Sequence, residues 1–474
     1  MSETKIIPLQ QFKHDSAEVA ADGDRREFLR TALGGYMNTR TATQHGYQDW
    51  EAARSGAAEI KWEAIDRLPE LLEQFEANLI KNGTKVFWAS DEEEARQYIL
   101  GILREKNAKH VIKSKTMTSE EIHLNSLLEA EGFDVVESDL GEYIVQQNKE
   151  APYHFVFPCM HLKRAEIKAI FEKIAACPSD DPEALTMFAR QQLREKYLRA
   201  DVGISGANFG IAETGHIAIT ENEGNARLTC AMPKVHIAIM GIEKMLPRLS
   251  DLSLLQPMLG TAGAGQRITC YNSIYGGPKK PGETDGPEEM HVVLLDNGRT
   301  TLLADPEQRD ALRCIRCGAC LNVCPIFKNI GGHSYGTTYQ GPIGAVITPH
   351  YKGLQEFKHL AYASSLCGAC TETCPVKIDL HHHLLRIRRN SVSEHPPLME
   401  KVAMKGFAFA FTRPWLYHLG TPLARLGHWL SKPIQGTKLD PGYLWRKTRT
   451  LPDMPKESFH EWFEKREQQK KAGK

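Results

Sequence analysis

Between about residues 61 and 300 short apolar runs of strand length alternate with stretches of helical periodicity, the pattern of an α/β domain. KVFWAS at 85–90 reads as a strand, and DEEEARQYILGILREKN supplies a helix after it. HVIKSK at 110–115 is a second strand. Thr118 with Glu121 has the spacing of a capping box at the start of a helix running through Glu131. FDVVESD returns as a strand after Gly132, and HIAIT at 216–220, KVHIAIM at 234–240 and MHVVLLD at 290–296 continue the series. PKKPGETDGPEE at 278–289 is a loop by composition.

The flanks follow other patterns. Residues 1–60 are polar and helical in periodicity, ending near Gly56. Composition shifts near residue 305, where a cysteine-rich segment begins, and the chain beyond Cys374 reads as helices, with HPP at 395–397 as a linker. The last stretch is helical and aromatic, with Trp415, Trp429, Trp445 and Trp462. The expected organisation is therefore an N-terminal helical segment (1–60), an α/β domain (61–300), a cysteine-rich domain (301–390) and a helical C-terminal region (391–474).

Charge narrows the function classes. The chain has 59 basic and 59 acidic side chains, a balance that argues against nucleic acid as a partner. No apolar run reaches the roughly 18 residues of a membrane span. Asp24-Arg25-Arg26-Glu27-Phe28-Leu29 looks like a twin-arginine export signal, but the sequence after it is polar where such a signal has its apolar region. That stretch is read as an amphipathic helix with Arg25, Arg26 and Arg30 in water, and the protein as cytoplasmic. Residues 403–430 mix apolar, aromatic and basic side chains. Packing against protein is the first reading there and peripheral membrane contact the second, because Pro414 and Pro422 interrupt the helix.

Of eleven cysteines, seven fall between Cys314 and Cys374, a clustering that points to metal ligation rather than a disulfide frame. Cys314-Ile-Arg-Cys317-Gly-Ala-Cys320-Leu-Asn-Val-Cys324-Pro325 has the C-x2-C-x2-C-x3-C-P spacing of a 4Fe–4S motif. The first three thiolates take corners of one cluster, and the fourth turns to a second cluster. Cys367-Gly-Ala-Cys370-Thr-Glu-Thr-Cys374-Pro375 matches it, with Ser364 where Cys314 stands in the first copy. Exchange of the last cysteine gives cluster one Cys314, Cys317, Cys320 and Cys374, and cluster two Cys324, Cys367 and Cys370. The open corner of cluster two leaves three outcomes: a 3Fe–4S centre, a non-cysteine ligand, or a ligand from a partner. An alkoxide from Ser364 is disfavoured beside a soft thiolate. Two neighbouring clusters imply electron transfer.

Other motifs are weaker. The glycines at 203, 206 and 210 miss the G-x-G-x-x-G spacing, and GTAGAGQR at 260–267 lacks the Lys-Ser/Thr end of a phosphate loop. Both are read as turn and packing glycines, and Glu213, Glu221 and Glu223 as turn or solvent-facing residues. The glycine-rich stretch from Asn329 to Gly353 is long for a loop, and either a partner contact or a structured cover over the clusters suits it. His381, His382 and His383 point to different helix faces, which makes a shared metal unfavourable. Cys159, Cys177, Cys230 and Cys270 are read as small apolar residues.

KSKTMTSEEIHLNSLLEAEGFDVVESDLGEYIVQQ at 113–147, GANFGIAETGHIAITENEGN at 206–225, and the CIRCGACLNVCPIF and SLCGACTETCPVKI pair resemble the lactate utilization protein B family, in order and over nearly the whole chain. The resemblance implies an iron–sulfur subunit of a bacterial system that oxidises L-lactate to pyruvate, passing electrons to an acceptor. It implies two partners, a cysteine-rich subunit with CCG domains and a smaller subunit sharing the LUD-type α/β domain. It also implies a ribose-5-phosphate isomerase/CoA-transferase-like fold for that domain and a distinct C-terminal domain. The seven cysteine ligands and the non-cysteine at 364 carry over. A second reading makes the α/β domain itself an enzyme on an organic-acid or CoA-like substrate. A third, a redox sensor built on the incomplete cluster, follows from the 367–374 motif.

Overall fold

The computed structural model describes residues 8–394, 398–440, 442–446, 449–450 and 452–473. The expected linker at 395–397 lies outside them. The chain forms two compact units, 1–391 and 392–474.

In the first unit the apolar runs become strands. In chain order these are β1 (Lys85–Ala89), β2 (His110–Lys113), β3 (Asp134–Glu137), β4 (Val202–Gly206), β5 (Phe209–Ile211), β6 (His216–Glu221), β7 (Val235–Gly241), β8 (Met245–Leu246), β9 (Tyr271–Tyr275) and β10 (Glu289–Leu295). Six of them make one sheet in the order β1-β10-β7-β4-β2-β3, parallel throughout, with Val235 opposite Glu289 on one side of β7 and Val202 on the other. A parallel sheet is covered on both faces, so its central strands are buried and mostly apolar; every residue of β7 is buried, His236 among them. Ala238 and Met240 of β7 share a core with Leu68, Leu71 and Phe75 of the helix Leu68–Lys81. Val235, Ile237 and Ile239 share the opposite core with Ile99 and Leu103 of the helix Glu92–Glu105. Asp91 starts that second helix by accepting from the amides of Glu93 and Glu94. The remaining strands form a small mixed sheet, β8-β5-β6-β9.

The helix expected from Thr118 to Glu131 is broken into Met117–Glu121 and Leu124–Ala130, with His123 between them at φ +49°. The capping-box reading fails because Glu121 is turned inward. Its carboxylate takes two bonds from Arg299, at 2.9 and 2.8 Å, and one from the Tyr339 hydroxyl at 2.6 Å.

The N-terminal helices Pro8–Ala21, Gly23–Gln44 and Trp50–Asp66 pack into the cysteine-rich segment, and the last runs through Gly56 rather than ending there. Leu29, Leu33, Ala57 and Ile65 share one core with Leu312, Ala319, Leu321 and Phe327. Arg25 and Arg26 are half-buried, and Arg30 is exposed and bonded to Asn329 at 2.7 Å. The glycine-rich stretch between the motifs is partly helical, in Gly341–Lys352, and a second helix, Leu354–Tyr362, follows it; Tyr335 and Tyr339 are buried.

The second unit contains the helices Leu398–Phe411, Pro414–Ser431 and Phe459–Lys471. Arg425 pairs with Glu461 at 3.1 Å and Arg446 with Asp440 at 2.9 Å. Trp415, Leu423 and Trp429 are each at least 60% exposed, an apolar surface with no cover among the described residues. No helix of the described residues is long and apolar enough to cross a membrane.

Candidate functional site

The two cysteine motifs fold into the same backbone twice. The residue before the first C of each C-G-A-C, Arg316 or Leu366, has φ +59° or +54°, and the following glycine, Gly318 or Gly368, has φ +77° or +81°. Left-handed torsion suits glycine at 318 and 368, while Arg316 and Leu366 adopt it with a side chain. Each loop then enters a five-residue helix, Ala319–Val323 or Ala369–Thr373, and the two helices pack together. Cys324 and Cys374 leave them with nearly equal torsions, φ −68° and ψ 119° against φ −66° and ψ 120°.

This repeat brings the cysteines into two sets. Cys314, Cys317, Cys320 and Cys374 surround one cavity, otherwise lined by apolar groups such as Phe155, Ile315, Ile343 and Val376. Cys324, Cys367 and Cys370 lie within electrostatic reach of one another, and Cys320 of Cys370 joins the sets. All eleven cysteines are free thiols. Burial pushes Cys317 up to about 12, with Cys314 and Cys374 adding to it, and Cys374 up to about 11. Backbone amides are aimed at the sulfurs: Ala319 at Cys317, Ile343 at Cys320, Val376 and Ile378 at Cys374, and Ile326 and Phe327 at Cys324. Crowded thiols, of which burial keeps Cys317, Cys320 and Cys374 protonated, met by N–H donors suited to anionic sulfur, fit an iron–sulfur cluster, whose binding drives deprotonation.

The surroundings of the first set are basic. Arg54 donates from Nε and Nη2 to the Cys374 carbonyl at 3.0 and 2.9 Å, and Arg40 from Nη2 to the Thr373 carbonyl at 3.0 Å. Arg313 bonds the Lys377 carbonyl at 3.0 Å and stacks over Trp62 at 4.4 Å. Arg316, with a side chain only 10% exposed, donates from Nη2 to Glu243 at 3.2 Å and lies over Tyr339 at 4.6 Å. Glu243 also takes Arg299 Nε at 2.5 Å, and although burial opposes its charge, Arg299 and Arg316 hold it down to about 2. Lys61 donates to the carbonyls of Glu243 and Met245 at 2.8 and 3.1 Å, and burial pushes its ammonium down to about 8. The second set is nearer water, with Cys367 exposed.

None of these cations was singled out by sequence reasoning. Arg40 and Arg54 lie more than 300 positions from the carbonyls they bind, and the one weak signal was Arg54 on a helix face beside Ala57 and Ala58. The histidine triplet divides as its helix geometry requires: His383 is buried against Asp310, His381 meets Thr371 Oγ1 at 2.7 Å, and His382 meets Asp379 at 2.8 Å. His381 and His382 do converge with Asp379, which the separate-faces reading did not foresee. The glycine stretches do more than turn the chain. Both line a cavity of about 320 Å³ with Cys317 in its wall. A Cβ on Gly263 would lie 2.8 Å from the Cys317 carbonyl oxygen, so that helix approaches the cysteine loop as only glycine allows. Glu221 caps the helix Asn225–Ala231 through the amides of Ala226 and Arg227, at 2.7 and 2.9 Å.

Fold and site together define an iron–sulfur protein whose parallel-sheet α/β domain is packed directly on its cysteine loops. Residues 72–295 match the family model described as LUD domain, 310–378 that described as 4Fe-4S dicluster domain, and 385–468 that described as Lactate utilisation protein B, C-terminal. Proteins named lactate utilization protein B are similar to the chain from end to end: 44% identity in Bacillus velezensis, covering 96% of this chain and 97% of that one. The corresponding figures are 42%, 98% and 98% in Bacillus licheniformis, and 42%, 95% and 96% in Bacillus subtilis. The chain belongs to the lactate utilization protein B family. A solved structure described as a duf162 family protein from Deinococcus radiodurans aligns over 48% of this chain and 98% of that one at 17% identity, with a TM-score of only 0.28.

Proposed function

We propose that the chain is the iron–sulfur electron-transfer subunit of a system that oxidises L-lactate to pyruvate. The observation that carries this is the gathering of seven cysteines into two adjacent sets by one repeated backbone. Cys314, Cys317, Cys320 and Cys374 would hold a 4Fe–4S cluster, and Cys324, Cys367 and Cys370 a second cluster with one corner open. Each bound cluster supplies one-electron chemistry, so a pair suits a two-electron oxidation. The chain's own residues fix the sulfurs: Arg54 and Arg40 tie down the end of the second loop, and the packed helices Ala319–Val323 and Ala369–Thr373 hold the sets side by side. Exposure of Cys367 makes the second set the natural contact for another protein.

The partners in this reading are a cysteine-rich CCG-domain subunit, a smaller LUD-domain subunit and an electron acceptor, and the site of action is the cytoplasm. The six-stranded parallel sheet with its small mixed companion supports a ribose-5-phosphate isomerase/CoA-transferase-like fold. Deleting the gene in a bacterial host should abolish growth on L-lactate. The wild-type chain should restore growth, and Cys317→Ala or Cys374→Ala should not. Full restoration by a chain lacking both cysteines would overturn the reading.

A further inference from the structure

Outside the two cysteine sets, two imidazoles and a carboxylate converge from distant stretches of the chain. Glu150 and His161 belong to the excursion of the α/β domain that follows the helix Leu140–Gln147, and His333 opens the short turn His333–Tyr335 after the first cysteine motif. One ligand atom from each lies within 4.8 Å of the other two. Glu150 Oε2 and His161 Nε2 are 2.9 Å apart, and the His161 and His333 rings stand 5.0 Å apart at 71°.

The fold holds each of the three in place. Asn148 donates to Glu150 Oε1 at 2.7 Å, which leaves Oε2 to His161. Tyr153 stacks on the His161 ring at 4.4 Å and meets the His333 ring edge-on at 4.8 Å. Gly331 and Gly332 bring His333 in: a Cβ on the first would collide with the Tyr153 hydroxyl, and on the second with the Tyr153 carbonyl oxygen. Only glycine at both positions lets the turn seat there. His333 Nε2 donates to the Ala151 carbonyl at 2.8 Å and keeps a lone pair on Nδ1, the kind of outer bond that orients a metal-binding imidazole.

The charges around the group suit a cation. Burial, with His333 and Arg25 adding to it, outweighs Glu150 and pushes the His161 imidazole down to about 4, so the ring is neutral at pH 7 and open to a metal. His161 is 3% exposed and its Nδ1 has no hydrogen-bond partner among the described residues, so the ring proton can sit there when Nε2 meets a metal. Arg25, the cation in reach, already faces Asp22 at 3.6 Å and Glu166 at 3.7 Å. Two imidazole nitrogens and one carboxylate oxygen are the ligand set of a zinc site with an open fourth position. The Glu150 side chain is 33% exposed, which lets water reach that position.

We propose that Glu150, His161 and His333 bind one divalent metal ion of the zinc type, apart from the cysteine sets. The ion ties the 148–161 segment of the α/β domain to the turn behind the first cysteine motif, with water as its fourth ligand. This goes beyond the electron-transfer reading, since zinc carries no electrons, and it holds whatever the number of clusters.

Full-length protein, purified anaerobically with its iron retained, is equilibrated with a buffered series of zinc sulfate and desalted to test this. Elemental analysis and X-ray absorption at the zinc edge are read on the same samples. One zinc per chain is expected, with nitrogen and oxygen neighbours at about 2.0–2.1 Å and no sulfur neighbour. Glu150→Gln, which keeps the shape of the side chain, and His333→Ala, which changes a half-buried one, should each weaken zinc binding at least tenfold. Each should also abolish the rise in Tm that zinc gives the wild type by binding the folded state. Sulfur neighbours at about 2.3 Å would place the zinc in the cysteine sets and overturn the proposal. So would failure of the iron-loaded protein to retain zinc, or unchanged affinity in either folded variant. The neighbours of zinc are read in the wild type, so the test stands even where both variants fail to fold.

Discussion

Ser364 Oγ accepts the amide hydrogen of Leu366 at 3.2 Å, just as Cys314 Sγ accepts that of Arg316 at 3.4 Å. The serine thus occupies, in the second loop, the place the first loop gives to its leading thiol. Ser364→Cys should convert the second set into a complete ring of thiolates. Air exposure of the wild-type protein should release iron and give the EPR signal of an oxidised three-iron centre. In Ser364→Cys that signal should fall several-fold. An unchanged signal would show that position 364 does not face the open corner.

Arg299 sits between two buried carboxylates, Glu121 and Glu243, and all three side chains are 1% exposed. Its removal leaves charges uncompensated in the interior, a change that costs about 3–5 kcal/mol. Arg299→Met should lower stability to urea by that order. A loss below about 1 kcal/mol would mean that the two carboxylates find other partners, since a surface pair contributes no more than that.

Arg54 joins the N-terminal helices to the cysteine loop through the Cys374 carbonyl. Arg54→Ala should cost about 1.5–3 kcal/mol, as for hydrogen bonds from a charged donor. It should also speed loss of iron to a chelator. Wild-type chelation kinetics in the variant would show that the clamp does not hold the loop.

These arginines also show what the sequence could and could not reveal. The strands β7 and β10 were legible because buried parallel strands are written as mostly apolar runs, broken here by His236 and by His291, and β1, at the sheet edge, was legible from Val86, Phe87, Trp88 and Ala89. β4, β5, β8 and β9 were not, because β5 and β8 have three and two residues and β4 ends inside a glycine stretch with no strand-like run. The seven cysteines announced themselves because their spacing follows from wrapping one loop around one cluster. The Glu121–Arg299–Glu243 group had no local signature: its members come from three short helical segments far apart in the chain, and Arg299 stands 178 positions from Glu121. The cavity was equally hidden, since strand order, not spacing, brings residues 114–116 and 206–208 together.

His154 gives a pH dependence. It accepts the amide of Val156 at 2.9 Å, faces Asn322 through Nε2 at 3.2 Å, and is fully buried, so burial, with Lys115 adding to it, pushes its imidazole down to about 3. The unfolded chain takes up this proton near 6.5 and the folded chain only near 3. Between those values the unfolded state binds more protons, so stability falls as pH drops below about 6.5 and the loss levels off near 3. His154→Gln should flatten the dependence of Tm on pH between about 6.5 and 4.5 relative to wild type. Equal slopes would assign the acid sensitivity to other groups.

The central claim, two neighbouring cluster sites of unequal completeness, is tested most directly by iron and acid-labile sulfide content together with EPR of anaerobically purified, full-length protein in oxidised and reduced states. The account predicts iron and sulfide for two clusters per chain, with spin coupling between them on full reduction, and loss of one cluster's signal in Cys317→Ala. Iron for no more than one cluster, or two clusters whose spectra show no interaction, would contradict it.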